Sequence, residues 1–361
     1  MPTQDLQQRA ALGDVRAQVR LAGQLDAEGR HSDSIDWLAK AAKTGDPEAL
    51  TQVGMRLLFG RNAPFRPVDG AGLLSDATVR GSGEAAAMIS VLAGGGIHGP
   101  QSWQVALDYL QRSAELGWAP AQSQLRALAG SAPNAGEPRP WERLRRRIDL
   151  DAWTSAPAAK PLSDSPRIFA VSALIPPAVC DSVIGQASPR LTRALVHDPQ
   201  TGLTIMGSTR TNRVANFGLA ETSLLNLLIQ ARISAATGVP LAMMEAFAVL
   251  NYAVGEEASE HFDFLDPAIP AYAGEIAQLG QRVATCLLYL NDDYEGGETV
   301  FPQLGLSHRG AKGDALVFFS TDTAGVPDPR TVHAGRPPAS GEKWVLSQFM
   351  RNRAVINAGP A

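Results

Sequence analysis

Four glycines in the first part of the chain, Gly13, Gly45, Gly81 and Gly117, are each followed one helical turn later by an alanine: Ala17, Ala49, Ala85 and Ala121. The period is about 35 residues, the length of one helix–turn–helix unit that must stack on its neighbours to bury an apolar face. Each glycine closes an Ala- and Leu-rich stretch: Arg9-Ala-Ala-Leu-Gly13, Lys40-Ala-Ala-Lys-Thr-Gly45, Asp76-Ala-Thr-Val-Arg-Gly81 and Ser113-Ala-Glu-Leu-Gly117. That position suits a left-handed cap. The alanine then lets a second helix approach closely. Residues 1–130 are therefore expected to form an array of helix pairs, with an irregular third unit around Gly94-Gly-Gly96 and Gly99-Pro100. Such an array either packs as a scaffold or offers a concave face to a polypeptide.

The 361 residues exceed one domain of ~150 residues. Residues 131–164 read as a linker, opening with the Pro- and Gly-rich run Ser131–Pro140. Within it, Trp141–Ile148 reads as a short helix whose Arg143, Arg145, Arg146 and Arg147 form a solvated face or a clamp. No aromatic platform accompanies the arginines, and the net charge of −4 supplies no basic field, so no nucleic-acid partner is expected. No apolar run is long enough to span a bilayer, and the polar N-terminus lacks a signal-peptide pattern. Cys180 and Cys286 lie in apolar segments and are expected as buried free thiols, which places the protein in the cytoplasm.

Residues 165–355 form the second expected domain, followed by a tail at 356–361. Strand character marks Arg167–Leu174, Ala246–Tyr252, Val283–Leu290, Ala315–Phe319 and Trp344–Phe349, and a short strand opens at Ala194. Helices are expected at Pro176–Ile184 and Ser223–Ala236. Many short strands after a few helices point to a closed or sandwiched β core with helices on one side.

Chemistry concentrates between Tyr252 and Arg351. On a strand, alternate side chains share a face, so His261 and Asp263 are expected to bind one ion while Phe262 packs into the core. With the distant His333 they make two histidines and one carboxylate, the facial set of non-haem Fe(II) oxygenases. That set leaves positions open for a bidentate cosubstrate and dioxygen. Lys343, on the next strand, is expected to meet a carboxylate at the far end of that cosubstrate.

Residues 165–353 resemble the prolyl 4-hydroxylase family of 2-oxoglutarate/Fe(II) oxygenases. The matching runs are Leu250-Asn-Tyr252-Ala-Val-Gly255, His261-Phe-Asp263-Phe-Leu, Arg282-Val-Ala-Thr285-Cys-Leu-Leu-Tyr289-Leu-Asn291, Gly296-Gly-Glu-Thr299-Val-Phe-Pro302, Gly310-Ala-Lys-Gly313-Asp-Ala-Leu-Val-Phe318, His333-Ala-Gly and Gly341-Glu-Lys343-Trp344. Arg210-Thr211 and Glu245 match as well. Residues 1–130 resemble the Sel1-like branch of the tetratricopeptide family, with Ile35–Ala42 and Ala106–Ala114 as first helices.

The resemblance implies a multidomain α and α+β chain: a helical repeat array, then a double-stranded β-helix (jelly roll) with supporting helices. It implies Fe(II) on His261, Asp263 and His333, and 2-oxoglutarate held at its far carboxylate by Lys343 and Thr299. Tyr252 and Tyr289 would line the cosubstrate pocket, and Arg210, Glu245 and Arg282 would lie near the substrate channel. O2 is the oxidant, and ascorbate is implied as a reductant of stray ferric iron. The activity implied is hydroxylation of an unactivated C–H bond, with release of succinate and CO2. The carboxylate at Asp263, where a small residue would leave room for halide, points the same way.

The leading substrate reading is a prolyl residue in a protein or peptide held by the repeats. The alternatives are a free amino acid or other small molecule, or a non-enzymatic adaptor that works through its repeats. The chain departs from the family at Ala258, often aromatic, at Asn212, often serine, and at Phe349, usually tryptophan. Bland roles compete for some residues. Tyr289 and Thr285 can be core, Arg282 can close a structural ion pair, and Gly296-Gly297 can shape a turn. His31, His98, His197 and His308 are expected to face solvent or bond locally.

Overall fold

A computed structural model of the chain describes residues 2–97, 99–131, 139–197, 204–205 and 210–355. His98 and the tail 356–361 lie outside the described residues, as do the side-chain surroundings of His197. Two compact units appear, Met1–Ile148 with Thr222–Leu227, and Asp149–Glu221 with Leu228–Gly359.

The first unit is built from α1 (Pro2–Ala11), α2 (Val15–Ala27), α3 (His31–Lys43), α4 (Pro47–Phe59), α5 (Pro67–Val79), α6 (Gly83–Gly95), α7 (Trp103–Glu115) and α8 (Ala119–Ala129). Each helix packs on the next, the nearest-neighbour pattern of a stacked array. Gly13, Gly45, Gly81 and Gly117 take φ of 91°, 83°, 102° and 85°, a region that side chains with a Cβ disfavour. The four alanines beyond them are buried.

The residue after three of the four glycines adds a signal that the repeat alone did not reveal; Trp118, after Gly117, makes no side-chain cap. Asp14, Asp46 and Ser82 accept the backbone N–H of Ala17, Ala49 and Ala85 at 3.0, 2.8 and 3.1 Å, which caps the second helix of those three pairs. Hydroxyls stitch neighbouring pairs together: Thr51 Oγ1 lies 2.8 Å from Ser82 Oγ, and Ser113 Oγ donates to the Gly83 carbonyl at 2.6 Å. The arginine-rich α9 (Pro140–Arg147) is tied locally. Arg145 pairs with Asp108 of α7, Arg146 with Glu142, and Arg147 donates to Ser131.

The segment 131–164, expected as linker, holds more structure than that. It contains α9, α10 (Leu150–Trp153) and β1 (Ala159–Asp164). β1 is an edge strand pairing only with β2 (Arg167–Val171). Its Lys160, Pro161, Ser163 and Asp164 are the polar and proline residues that edges carry, so it shows none of the alternation that marks an inner strand.

Next come α11 (Pro177–Ala187), β3 (Thr192–Arg193), β4 (Val196–His197), β5 (Thr204–Ile205), β6 (Arg213–Asn216), α12 (Leu224–Thr237), β7 (Ala248–Tyr252), β8 (Ala258–His261) and α13 (Pro270–Leu279). The chain continues through β9 (Arg282–Tyr289), β10 (Glu295–Gly296), β11 (Thr299–Phe301), β12 (Leu306–His308), β13 (Ala315–Phe319), β14 (His333–Gly335), β15 (Pro338–Ser340) and β16 (Lys343–Arg351).

Eight strands form a major antiparallel sheet in the order β1-β2-β13-β9-β16-β7-β6-β3, and four form a minor sheet, β12-β11-β14-β8. β10–β15 and β4–β5 are separate pairs. Ile168, Tyr289, Leu316, Phe318 and Val345 of the major sheet pack against Phe301 of the minor sheet. Leu250 and Tyr252 of β7 likewise meet Ala258 of β8. The second unit is thus two antiparallel sheets face to face, a jelly-roll architecture with α11, α12 and α13 as supporting helices. Cys180 and Cys286 are buried and unpaired, and burial pushes both thiols up to about 12.

Candidate metal centre and cosubstrate cavity

His261 ends β8 and His333 begins β14, and the two are register partners across that antiparallel pair. Partners opposite one another project to the same face, so the imidazoles meet with ring centroids 4.4 Å apart. Asp263 is not on the strand, as its spacing had predicted, but in a bend past the strand end. The bend still turns its carboxylate inward, where Thr285 of β9 donates to Oδ2 at 2.7 Å. Oδ1 lies 3.6 Å from His261 Nε2, and Oδ2 lies 3.6 Å from His333 Nε2. One ligand atom from each of the three residues falls within 4.8 Å of the others. Phe262 is the casualty of the same bend: strand alternation stops at His261, and the ring is 43% exposed instead of in the core.

The imidazole tautomers follow from hydrogen bonding. His261 Nδ1 lies 2.7 Å from the Ser259 carbonyl, and His333 Nδ1 lies 3.1 Å from that of Thr331. A carbonyl only accepts, so each Nδ1 carries the proton and each Nε2 presents a lone pair toward Asp263. Burial pushes His333 down to about 4, against the opposing pull of Asp263. Burial alone would raise Asp263, but His333, His261, the Thr285 hydroxyl and Arg282 hold it below the ordinary carboxylate range. Neutral imidazole beside ionised carboxylate is the state metal binding requires, and the donor set suits Fe(II). Thr285→Val is expected to weaken Fe(II) binding by about 10- to 100-fold, as loss of an outer-shell partner does. Anaerobic Fe(II) titration reads it, and unchanged affinity would remove Thr285 from the site.

The cluster opens onto a cavity of about 310 Å³ between the sheets. Strand alternation supplies its wall: Leu250 and Tyr252 from β7, Leu287 from β9, and Lys343, Val345, Ser347 and Phe349 from β16, with Ala258, Thr299 and Gly335 from the minor sheet. Arg210 and Arg282 line it too.

Lys343 is 3% exposed and has no carboxylate partner among the described residues. Its ammonium donates to the Gly297 carbonyl at 2.7 Å. Burial pushes it down to about 8, against the pull of Glu298. Gly297 takes φ of 70°, and a Cβ there would stand 2.9 Å from the Tyr294 ring and 3.3 Å from Lys343 Cδ. The turn and the close approach to Lys343 thus both require glycine. A dianion with a chelating head and a carboxylate tail fits this arrangement, head on the triad and tail on the ammonium.

Two of the expected residues sit outside the lining. Tyr289 is fully buried behind Thr299, its hydroxyl 3.3 Å from Thr299 Oγ1. Glu245 accepts from Arg282 at 2.8 and 3.0 Å and from the buried Arg351 at 2.6 Å. Arg351 also pairs with Glu275. Arg282 therefore closes an ion pair while still bordering the cavity, with its guanidinium 4.0 Å from the Phe349 ring centre.

Arg210 donates from Nε to Asn212 Oδ1 at 3.3 Å. His308 is half-buried against Tyr289, not solvent-facing, and burial pushes it down. His31 bonds locally to Asp26 at 3.0 Å. Sequence reading passed over Thr285 as an Asp263 partner and Leu287 and Ser347 as wall residues. The period-2 pattern through Thr285, Leu287 and Tyr289, and through Lys343, Val345 and Ser347, carries that information.

Facing antiparallel sheets that enclose two histidines, one carboxylate and a buried ammonium define a non-haem iron oxygenase architecture. The 2OG-Fe(II) oxygenase superfamily matches residues 247–351. Prolyl 4-hydroxylase 1 of Arabidopsis thaliana is 34% identical over 208 residues, covering 54% of this chain and 72% of that protein. The rat prolyl 4-hydroxylase subunit alpha-1 is 36% identical over 190 residues, covering 53% of this chain and 35% of the subunit, so the chain spans about a third of the length of that relative. A Sel1 repeat protein of Oxalobacter formigenes matches in structure at 26% identity and a TM-score of 0.31, covering 34% of this chain and 96% of that one. The chain belongs to the 2-oxoglutarate/Fe(II) oxygenase superfamily, in its prolyl 4-hydroxylase family. Fe(II), 2-oxoglutarate and O2 are the cofactor and cosubstrates characteristic of that superfamily. Among the described residues, no helix is long and apolar enough to cross a membrane.

Proposed function

We propose that the chain is a 2-oxoglutarate- and Fe(II)-dependent hydroxylase of a prolyl residue in a protein or peptide, releasing succinate and CO2. His261, Asp263 and His333 hold the iron. The observation that carries the reading is Lys343: a buried ammonium without an acid partner among the described residues, across one cavity from an open three-ligand cluster. The bound iron supplies oxygen activation and oxidation of the C–H bond.

The chain's own residues do the rest. Lys343 and Thr299 anchor the far carboxylate of the cosubstrate. Tyr289 orients Thr299 from behind, and Tyr252 closes the wall beside Lys343, its ring centre 5.5 Å from the ammonium. Thr285 holds Asp263 so that both its oxygens face the imidazoles. Leu250, Leu287 and Val345 exclude water from the reacting centre. Glu245 and Arg351 fix Arg282 at the cavity edge, and with Arg210 it offers donors to substrate carbonyls. The helical array of residues 1–130 presents the polypeptide, and the buried unpaired thiols suit work in the cytoplasm.

The test is anaerobic binding of Fe(II) and 2-oxoglutarate, then oxygen exposure with succinate detection, for the native protein and His261→Ala. Mass spectrometry on proline-containing peptides and free proline follows. Succinate from the native protein alone, with a peptide one oxygen atom heavier, is the expected result. Activity on free proline but not on peptides would replace the polypeptide reading with a small-molecule one. Absence of both iron binding and succinate would leave an adaptor that works through its repeats.

A further inference from the structure

The bend that brings Asp263 inward sends the neighbouring aromatic ring outward. Phe262 borders the cavity yet is 43% exposed, and its ring centroid stands 4.7 Å from that of Phe264. Leu195 also borders the cavity and is 51% exposed. The other leucines and the valine of the wall are less open: Leu250 and Val345 are buried and Leu287 is half-buried. Single exposed apolar side chains are ordinary. Here two of them stand on the rim of one cavity, and Phe262 is locked there between two ligand residues.

Capacity decides what can lie on that rim. A cavity of about 310 Å³ is at the small end of ligand pockets, which run from about 300 to 1,000 Å³. It must take the cosubstrate and the reacting side chain together. In a polypeptide, the residues flanking the reacting one therefore stay outside, against the rim. We propose that Phe262 and Leu195 form an apolar platform for the residue adjacent to the hydroxylated one, and that this platform selects an uncharged, apolar neighbour. The inference rests on the polypeptide-substrate reading. An apolar neighbour buries both exposed side chains, whereas a carboxylate there would lose hydration without gaining a partner from Phe262 or Leu195. The Phe262 ring has few rotatable bonds to immobilise, which suits a recognition surface.

The experiment uses the full chain with saturating Fe(II) and 2-oxoglutarate. Its substrates are proline peptides that differ only in the residue flanking the target: Leu, Ala or Asp. The expected result is a KM at least tenfold lower for the Leu peptide than for the Asp peptide. Phe262→Ala should raise KM for the Leu peptide about tenfold, with a smaller change in kcat, and erase the discrimination. Phe262→Leu should restore most of it, and circular dichroism confirms folding. Leu195→Asp, at an exposed site, is the second variant and should raise KM for the Leu peptide while lowering that for a Lys-flanked one. Equal KM values across the peptides, or discrimination that survives Phe262→Ala and Leu195→Asp, would overturn the platform and leave the hydroxylase reading standing. Turnover of free proline alone would overturn the platform together with the polypeptide-substrate reading it rests on.

Discussion

Asp263→Ala is expected to abolish succinate formation and to weaken Fe(II) binding by well over a hundredfold, more than the about 10- to 100-fold typical of losing an outer-shell partner. The carboxylate supplies the only negative charge in the three-residue cluster, and it faces both imidazoles at 3.6 Å. Its removal also leaves the Thr285 hydroxyl, 2.7 Å away in the native protein, without its acceptor in a buried site, a cost of about 1–3 kcal/mol. Anaerobic Fe(II) titration and a succinate assay measure the two effects. More than a tenth of native activity in a folded variant would sink the assignment of Asp263 as a ligand.

Lys343→Met should act in opposite directions on function and stability. Exchanging the ammonium for an apolar side chain leaves the cosubstrate's buried carboxylate without its partner, a loss of about 2–5 kcal/mol. 2-Oxoglutarate binding should fall by about a hundredfold or more. The free protein should gain stability. Burial pushes Lys343 from 10.5 down to about 8, so at neutral pH the fold carries the cost of keeping it charged, about 3 kcal/mol at 1.36 kcal/mol per pH unit. The unfolded chain holds the proton more tightly, so native stability rises as pH climbs from about 8 to 10.5. Lys343→Met should lack that rise. For the same reason, 2-oxoglutarate binding should weaken about tenfold per pH unit above about 8 as the free ammonium loses its proton. Chemical denaturation across that range separates the cases, and a native protein whose stability is flat between pH 8 and 10.5 would contradict a buried, strained Lys343.

Local regularities made much of this legible. The recurring glycines and alanines located the helix pairs, because a left-handed cap and a close helix approach each demand a particular side chain. Strand Ala315–Phe319 fell on its expected bounds, since both its faces are apolar. His261, His333 and Lys343 were singled out through residue type and order, and the structure brings them to one cavity. Features set by distant partners were not legible. Whether a strand stops at His261 depends on its pairing with β14, so Phe262 was placed in the core when it stands on the rim. The depth of Tyr289 behind Thr299, and the network in which Glu245 accepts from Arg282 and from Arg351, itself paired with Glu275, are products of sheet packing. β1 escaped because an edge strand needs little apolar patterning.

The pairing of His261 with His333 bears on how such a chain tolerates change. Between the two histidines run α13, all of β9 through β13, and their loops. The ladder between β8 and β14 fixes the two imidazoles relative to each other regardless of the length of that excursion. Added residues in its loops cost little in closure entropy and need not displace the imidazoles. A single residue gained or lost within β8 or β14 would instead turn one imidazole to the opposite face of the sheet. The pair of imidazoles is thus tolerant of insertions in the intervening loops and fragile to the smallest ones within β8 or β14, which makes an exposed loop of that excursion, rather than α13 with its Glu275, the place to graft new sequence.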